Sequence, residues 1–240
     1  MPKRRITEAM MKEAQAHAAR KRRRRARSTA RQALTVAKEV KKMVNKTIEN
    51  KQINNKVLST ALSTSGYAVG GFFGVLQGTS DGTTAGSTAR VGNSLTLLRS
   101  QFKFNFDVAL NSEGYNKMRL IVVQSKEGNQ TLALSDVLQY SSYGIDGDLV
   151  FASPYTTKTS TNKRYEVLFD RVFELNASHK ASRQISFVKK YGKTGRVVNW
   201  NGNSSSSPTD FKTTVMAISD STVAPHPTFE YSLRHTYKDA

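Results

Sequence analysis

The 240-residue chain contains no cysteine, which excludes disulfide scaffolds, thiolate-bound zinc, iron–sulfur clusters and thiol nucleophiles and leaves the redox compartment open. It has no apolar run near the ~20 residues that a membrane-spanning helix needs. Its opening residues, MPKRRITEAMMKEAQAHAAR, lack the apolar centre of a signal peptide. A soluble chain that is not exported by that route, with no membrane partner, is expected. The Asn-x-Ser/Thr triplets at Asn45, Asn129, Asn176 and Asn203 then read as chance matches in a Ser/Thr-rich sequence.

Groups suited to catalysis are also scarce. The four histidines are dispersed: His17 in a basic segment, His179 in a polar loop, His226 between two prolines, and His235 on an apolar strand face that suits a core residue better than a general base. No His-Glu-x-x-His pair occurs. Tyr191–Gly195 (YGKTG) resembles the end of a phosphate loop, but Phe187 stands where the leading glycine belongs, so a basic hairpin turn is expected. Gly66, Gly70 and Gly71 fit no dinucleotide fingerprint, and Asp146-Gly147-Asp148 reads as a turn before it reads as a cation site. Trp200 reads as a strand-end packing residue before it reads as a base-stacking one. No enzyme is expected.

What the chain has is positive charge, unevenly placed. Of a net charge of +19, residues 1–56 carry +14, from 18 Lys+Arg against 4 Glu, and residues 57–240 only +5. This is the pattern of a basic tail on a nearly balanced body. The tail's cations are Lys3, Arg4, Arg5, Arg20, Lys21, Arg22, Arg23, Arg24, Arg25, Arg27 and Arg31, with further lysines beyond. These residues are the expected nucleic-acid contacts, since Lys and Arg on a tail neutralise phosphates and release counterions. The run KRRRRAR also suits a nuclear import signal. Mutual repulsion predicts disorder to about residue 28. Val36, Val40, Met43, Val44, Thr47 and Ile48 recur at helical spacing and predict an amphipathic helix over ~30–50 that needs a partner, either another copy of itself or the body.

Residues 57–90 turn to Gly, Ser and Thr and read as a connector, with one short strand-like piece at Phe72–Leu76. From there the period is two. Phe102, Phe104, Phe106, Val108 and Leu110 alternate with polar residues, and six further segments follow: 118–124, 165–175, 185–190, 196–200, 211–219 and 228–237. Only Thr131–Gln139 reads as helix within this region. About eight strands with polar turns predict an all-β fold, a single eight-stranded antiparallel jelly-roll sandwich over residues 91–240.

Particular stretches carry a family likeness. Gly74–Phe106 (GVLQGTSDGTTAGSTARVGNSLTLLRSQFKFNF) resembles the connector and first strand of coat proteins of the satellite tobacco necrosis virus family. Met118–Leu138 (MRLIVVQSKEGNQTLALSDVL) resembles their next strand, loop and short helix, and KRYEVLFDRVFELN, VVNWNG and RHTYKDA continue the likeness in order, over most of residues 34–240. The resemblance implies a capsid protein, about sixty copies of which form a T=1 icosahedral shell around a single-stranded genome. It implies a virion location, with assembly in the host cytoplasm or nucleus, and arm helices clustered in threes. Similar coat proteins occur in some circular single-stranded DNA viruses, so RNA-binding and DNA-binding both remain open, and nothing in the likeness names a host receptor. The resemblance further implies calcium between subunits, with Asp239 supplying a carboxylate and Val91 and Ser94 supplying carbonyl oxygens. Sixty such arms would carry about 840 charges, enough for a strand on the order of a kilobase. The alternatives are a cellular nucleic-acid-binding protein with a basic extension, of ribosomal type, and an extracellular jelly-roll ligand or lectin, which suits the body but not the arm.

Overall fold

The computed structural model describes residues 8–47, 50–71, 73, 75, 90, 92–109, 114–125, 131–156, 165–202 and 207–239. Two units are distinct, Met1–Glu49 and Asn50–Ala240.

In the first unit, helix α1 runs from Glu8 to Thr47. It starts some twenty residues before the expected ~30 and passes through KRRRRAR, which was expected to stay disordered. Arg, Lys and Ala are among the best helix formers, and neither Gly nor Pro occurs between Ile6 and Asn50. A like-charge pair at helical spacing costs only a few tenths of a kcal/mol. Propensity summed along the segment outweighs repulsion.

In the second unit, alternation sets which side chains are buried. β3 (Ser94–Asp107) points Phe102, Phe104 and Phe106 to one side, and β9 (Thr228–Asp239) points Phe229, Tyr231 and Leu233 to the same side; the two strands pair antiparallel along their length. β1 (Lys51–Ala61) flanks β9, while β6 (Ser182–Lys190) and then β7 (Arg196–Asn199) flank β3, completing a five-stranded sheet. The second sheet has the order β2 (Tyr67–Gly71), β8 (Thr213–Ser219), β4 (Tyr115–Ser125), β5 (Tyr165–Asn176). Met118, Leu120, Val122, Phe173, Val215 and Ala217 face the first sheet across the shared core.

With β6 and β7 counted as one interrupted strand, the antiparallel partners nest: β1 with β9, β2 with β8, β3 with β6, β4 with β5. A long hairpin rolled on itself in this way is a jelly roll. Its first two strands lie at 51–71, in the stretches read as arm and connector, so the expected boundaries at 56 and 90 fall too late. β1 is an edge strand that buries little beyond Ile53 and Val57, and β2 has five residues; neither shows the strong alternation of β3. Of the strand expected at Phe72–Leu76, Phe73 and Val75 are buried outside any strand, and the other three residues lie outside the described set.

β4 and β8 are buried on both faces. Ile121, Val123, Met216 and Ile218 point away from the shared core and are covered by α2 (Leu134–Val137), α3 (Tyr143–Asp146) and α4 (Leu149–Ala152). Double burial explains the continuous apolar centres of these strands, LIVV at 120–123 and VMAI at 215–218. Beneath α4, buried Arg119 forms a two-pronged ion pair with Asp170 (3.0 and 2.7 Å) and donates to the Val150 carbonyl at 2.7 Å. Tyr155 donates to the same carboxylate at 2.9 Å, and burial together with that bond pushes its hydroxyl up to about 12.

Tyr191–Gly195 is not a hairpin turn: both flanking strands pair the same edge of β3, at Arg99–Asp107 and at Ser94–Leu97, so the segment bulges out of one interrupted strand. Gly195 adopts φ +81°, and a Cβ there would lie 2.5 Å from Thr96 Cγ2 and 2.8 Å from the Leu97 carbonyl oxygen; Gly192 has φ +75° with open space around it. Gly192→Ala is therefore expected to cost only the backbone strain, roughly 1 kcal/mol. Gly195→Ala adds a steric clash and should cost at least about 1 kcal/mol more in urea unfolding. Equal losses would show that the bulge yields freely.

Candidate nucleic-acid interface

Helix α1 is ~60 Å long at 1.5 Å per residue. Its forty residues hold 13 Lys+Arg and 3 Glu. Arg20, Lys21, Arg22, Arg23, Arg27 and Arg31 are exposed on it. Arg24 and Arg25 lie in the same helix with their side chains outside the described set, and Lys3, Arg4 and Arg5 lie outside it altogether. Four consecutive turns thus carry the charge on a rod, since residues 100° apart around the axis turn Arg20–Arg23 to all sides. Guanidinium forks match phosphate oxygens in pairs, so the rod is suited to a polyanion backbone.

Further along, Val36, Val40 and Met43 occupy one face at i, i+4 and i+7 and are 57%, 51% and 62% exposed. This is the expected apolar stripe. The side chains of Val44 and Thr47 and the whole of Ile48 lie outside the described residues.

Most of the body's described aromatic residues are committed to packing, with Tyr115, Tyr140 and Tyr155 exposed. Trp200 is 4% exposed, meets Phe73 edge-on at 5.7 Å and lies under the Arg90 guanidinium at 5.1 Å. Sequence reasoning did not single out Arg90. It is fully buried, donating to the carbonyl oxygens of Val75 (3.1 Å), Gly202 (2.8 Å) and Gly92 and to Asn93 Oδ1 (3.3 Å). It therefore fastens three chain segments at one end of the sandwich. Its position before a Gly/Ser/Thr stretch gave no sign of burial.

His235 is wholly buried, and its Nδ1 lies 2.7 Å from Ser100 Oγ. Ser100 in turn lies 3.0 Å from the Tyr191 hydroxyl, which donates to Gln124 at 2.9 Å. Burial pushes the Tyr191 hydroxyl up to about 12. This chain of bonds links β9 and β3 to β4 across the core, closed to any substrate arriving from solvent. Asp146 accepts from the Ser141 and Ser142 amides at 2.9 and 3.0 Å, and Gly147 has φ +53°, as befits a turn.

Of the expected metal ligands, Ser94 opens β3, Val91 lies outside the described residues, and the backbone of Asp239 pairs opposite Leu95, one residue from Ser94. Among the described residues, no group of three or more His, Asp or Glu converges, and no helix is long and apolar enough to cross a membrane.

No family model and no curated protein matches the chain. Solved structures do. That of Desmodium yellow mottle tymovirus matches 80% of this chain and 87% of its own, at 11% identity and a TM-score of 0.39. Turnip yellow mosaic virus matches 80% of each chain at 6% identity and 0.36, and the giant freshwater prawn Macrobrachium rosenbergii nodavirus matches 80% and 85% at 7% and 0.34. At these scores the jelly roll stands on its own strand order and register.

Two substitutions separate the rod from the core. Arg22→Gln with Arg23→Gln should lower the slope of log affinity against log salt for a single-stranded oligonucleotide by about 1.4, at 0.7 per cation removed, with the unfolding midpoint unchanged. Trp200→Ala should do the reverse, costing about 3–5 kcal/mol of stability with the slope intact.

Proposed function

We propose that this chain is a viral capsid protein of the satellite tobacco necrosis virus type, whose jelly-roll bodies assemble into a closed shell and whose basic arm packages a single-stranded genome. One observation carries the reading: a forty-residue helix of net charge +10 ends at Thr47, and the first strand of a jelly roll begins at Lys51. An arm this cationic is suited to a polyanion, whose condensed counterions it would release on binding. A rigid sandwich attached to every arm ties that condensation to a defined body surface. Closed symmetric assembly then gathers many arms in one interior, which supplies partners for the Val36–Val40–Met43 stripe.

Electron microscopy of the purified protein tests this. Uniform closed particles are expected, and deletion of residues 1–27 should leave the body folded and remove the packaged nucleic acid. A monomer at every concentration, with nucleic acid present, would refute assembly and favour a cellular binding protein. Nucleic-acid content unchanged by the deletion would refute the role of the arm.

Calcium at subunit contacts belongs to the same reading. The β3–β9 register sets Asp239 next to Ser94, and a carboxylate with backbone carbonyls is a hard-oxygen donor set suited to calcium. There the ion would neutralise a carboxylate and cross-link neighbouring subunits. Chelator is expected to swell wild-type particles and to change Asp239→Asn particles little. Equal swelling in both would remove Asp239 from the site.

A further inference from the structure

The outer face of the five-stranded sheet is not neutral, although the body as a whole nearly is. Residues that alternate with the core-facing ones place Lys56 on β1, Arg99 and Lys103 on β3, Lys190 on β6, and Arg234 and Lys238 on β9 on this one face. All but Lys238 are exposed. The acids of the face, Glu230 and Asp107, sit together toward one end, paired in register with Asn105 and Thr228. The cations occupy the rest, up to the end where the chain enters β1 at Lys51, opposite Tyr237.

The other side of the sandwich has the opposite character. Residues 131–156, whose short helices cover the second sheet, include Asp136, Asp146 and Asp148 and no Lys or Arg. The body is thus polarised through its thickness.

We infer that the outer face of the β1–β9–β3–β6 sheet is a second nucleic-acid-binding surface, which takes the phosphate backbone of a single strand alongside the arm. It deepens the packaging reading above and rests on it for the identity of the strand. Three observations carry the assignment. Lys56 and Lys103 both register on Ser232, which sets them two strands, or ~10 Å, apart across a shallow depression of about 550 Å3 that Glu230 also lines, so its two cations face one carboxylate. Arg99 and Lys190 are directly opposite each other, a like-charge pairing that weakens a sheet and that a phosphate between them would relieve. Between the cations stand Gln101, Gln184, Ser186 and Ser232, groups that hydrogen-bond phosphate and sugar. A membrane-binding face would need an apolar stripe to insert, and the exposed large apolar residues described on this one, Leu58, Val188 and Val197, are scattered over three strands.

The test uses the full-length chain and a fluorescein-labelled oligothymidylate, with affinity measured across a salt series. Lys56→Gln, Lys103→Gln and Arg234→Gln together should lower the salt slope by about 2, at 0.7 per cation. An equal change of charge off this face, Lys117→Gln, Lys180→Gln and Lys212→Gln, should leave the slope as in wild type. Lys56→Arg with Lys103→Arg should retain it, and matching unfolding midpoints guard against misfolding. Equal slopes for face and control triples overturn the inference, as does a face triple that loses binding to phosphatidylserine vesicles while keeping oligonucleotide binding. The Arg22→Gln/Arg23→Gln variant separates the two readings. If it alone changes the slope, the face fails and the arm stands; if only the face triple does, the arm reading fails and the face stands.

Discussion

The body depends on the antiparallel pairing of β3 with β9. The two strands lie side by side at the centre of the five-stranded sheet, and their inward residues form an aromatic floor: Phe104 meets Tyr231 at 5.6 Å and Phe106 meets Phe229 at 5.6 Å. Each fully buried ring contributes ~1.5–3 kcal/mol of transfer free energy, so this floor is a substantial source of cohesion in a chain without disulfides. The floor extends to the second sheet through a stack, Phe102 on Phe187 at 4.5 Å and Phe187 on Phe169 at 4.8 Å, the last contributed by β5. Nearby, Lys189 of β6 pairs with Glu166 of β5 at the same open edge.

The sequence is most legible where a strand buries one face. β3 alternates from Ser100 onward and β9 along most of its length; β9 is expected at 228–237 and found at Thr228–Asp239, whereas β3 begins at Ser94, eight residues before the expected Phe102, because an irregularity between Leu97 and Arg99 interrupts the alternation there. Legibility fails in two ways. β1 and β2 bury too little to show a pattern, one being a polar edge strand and the other very short, so they merged with arm and connector. β4 and β8 bury both faces, which signals a strand by its apolar run but conceals that α2–α4 must lie over one side. In the arm two signals compete, repulsion among neighbouring cations and the helix propensity of the same residues and their alanines, and the second prevails.

The candidate interface divides along the same line. The arm's cations are contiguous in sequence and need no structure to be found. Those of the sheet face are spread over four strands, from Lys56 to Lys238, and assemble only when register is known. In composition all but Lys56 are hidden in an unremarkable excess of five charges over residues 57–240. Burial likewise reassigns Trp200 and Arg90 from surface chemistry to the end of the core, since an aromatic beside Asn-Gly and an arginine beside a glycine-rich stretch both resemble loop residues until their neighbours are known.

The position of β9 also bears on the order of events during synthesis. β1 pairs with β9 alone, and its first rung joins Lys51 to Tyr237, so the edge of the sheet that follows the arm has no partner until almost the whole described chain exists. Pairing over such a separation closes late, because the loop entropy must be met before the contact forms. The cationic helix, with only local hydrogen bonds to make, is complete far earlier. On the packaging reading proposed above, a nascent chain would present its polycation before its body can close, and capture of the strand would precede completion of the sandwich.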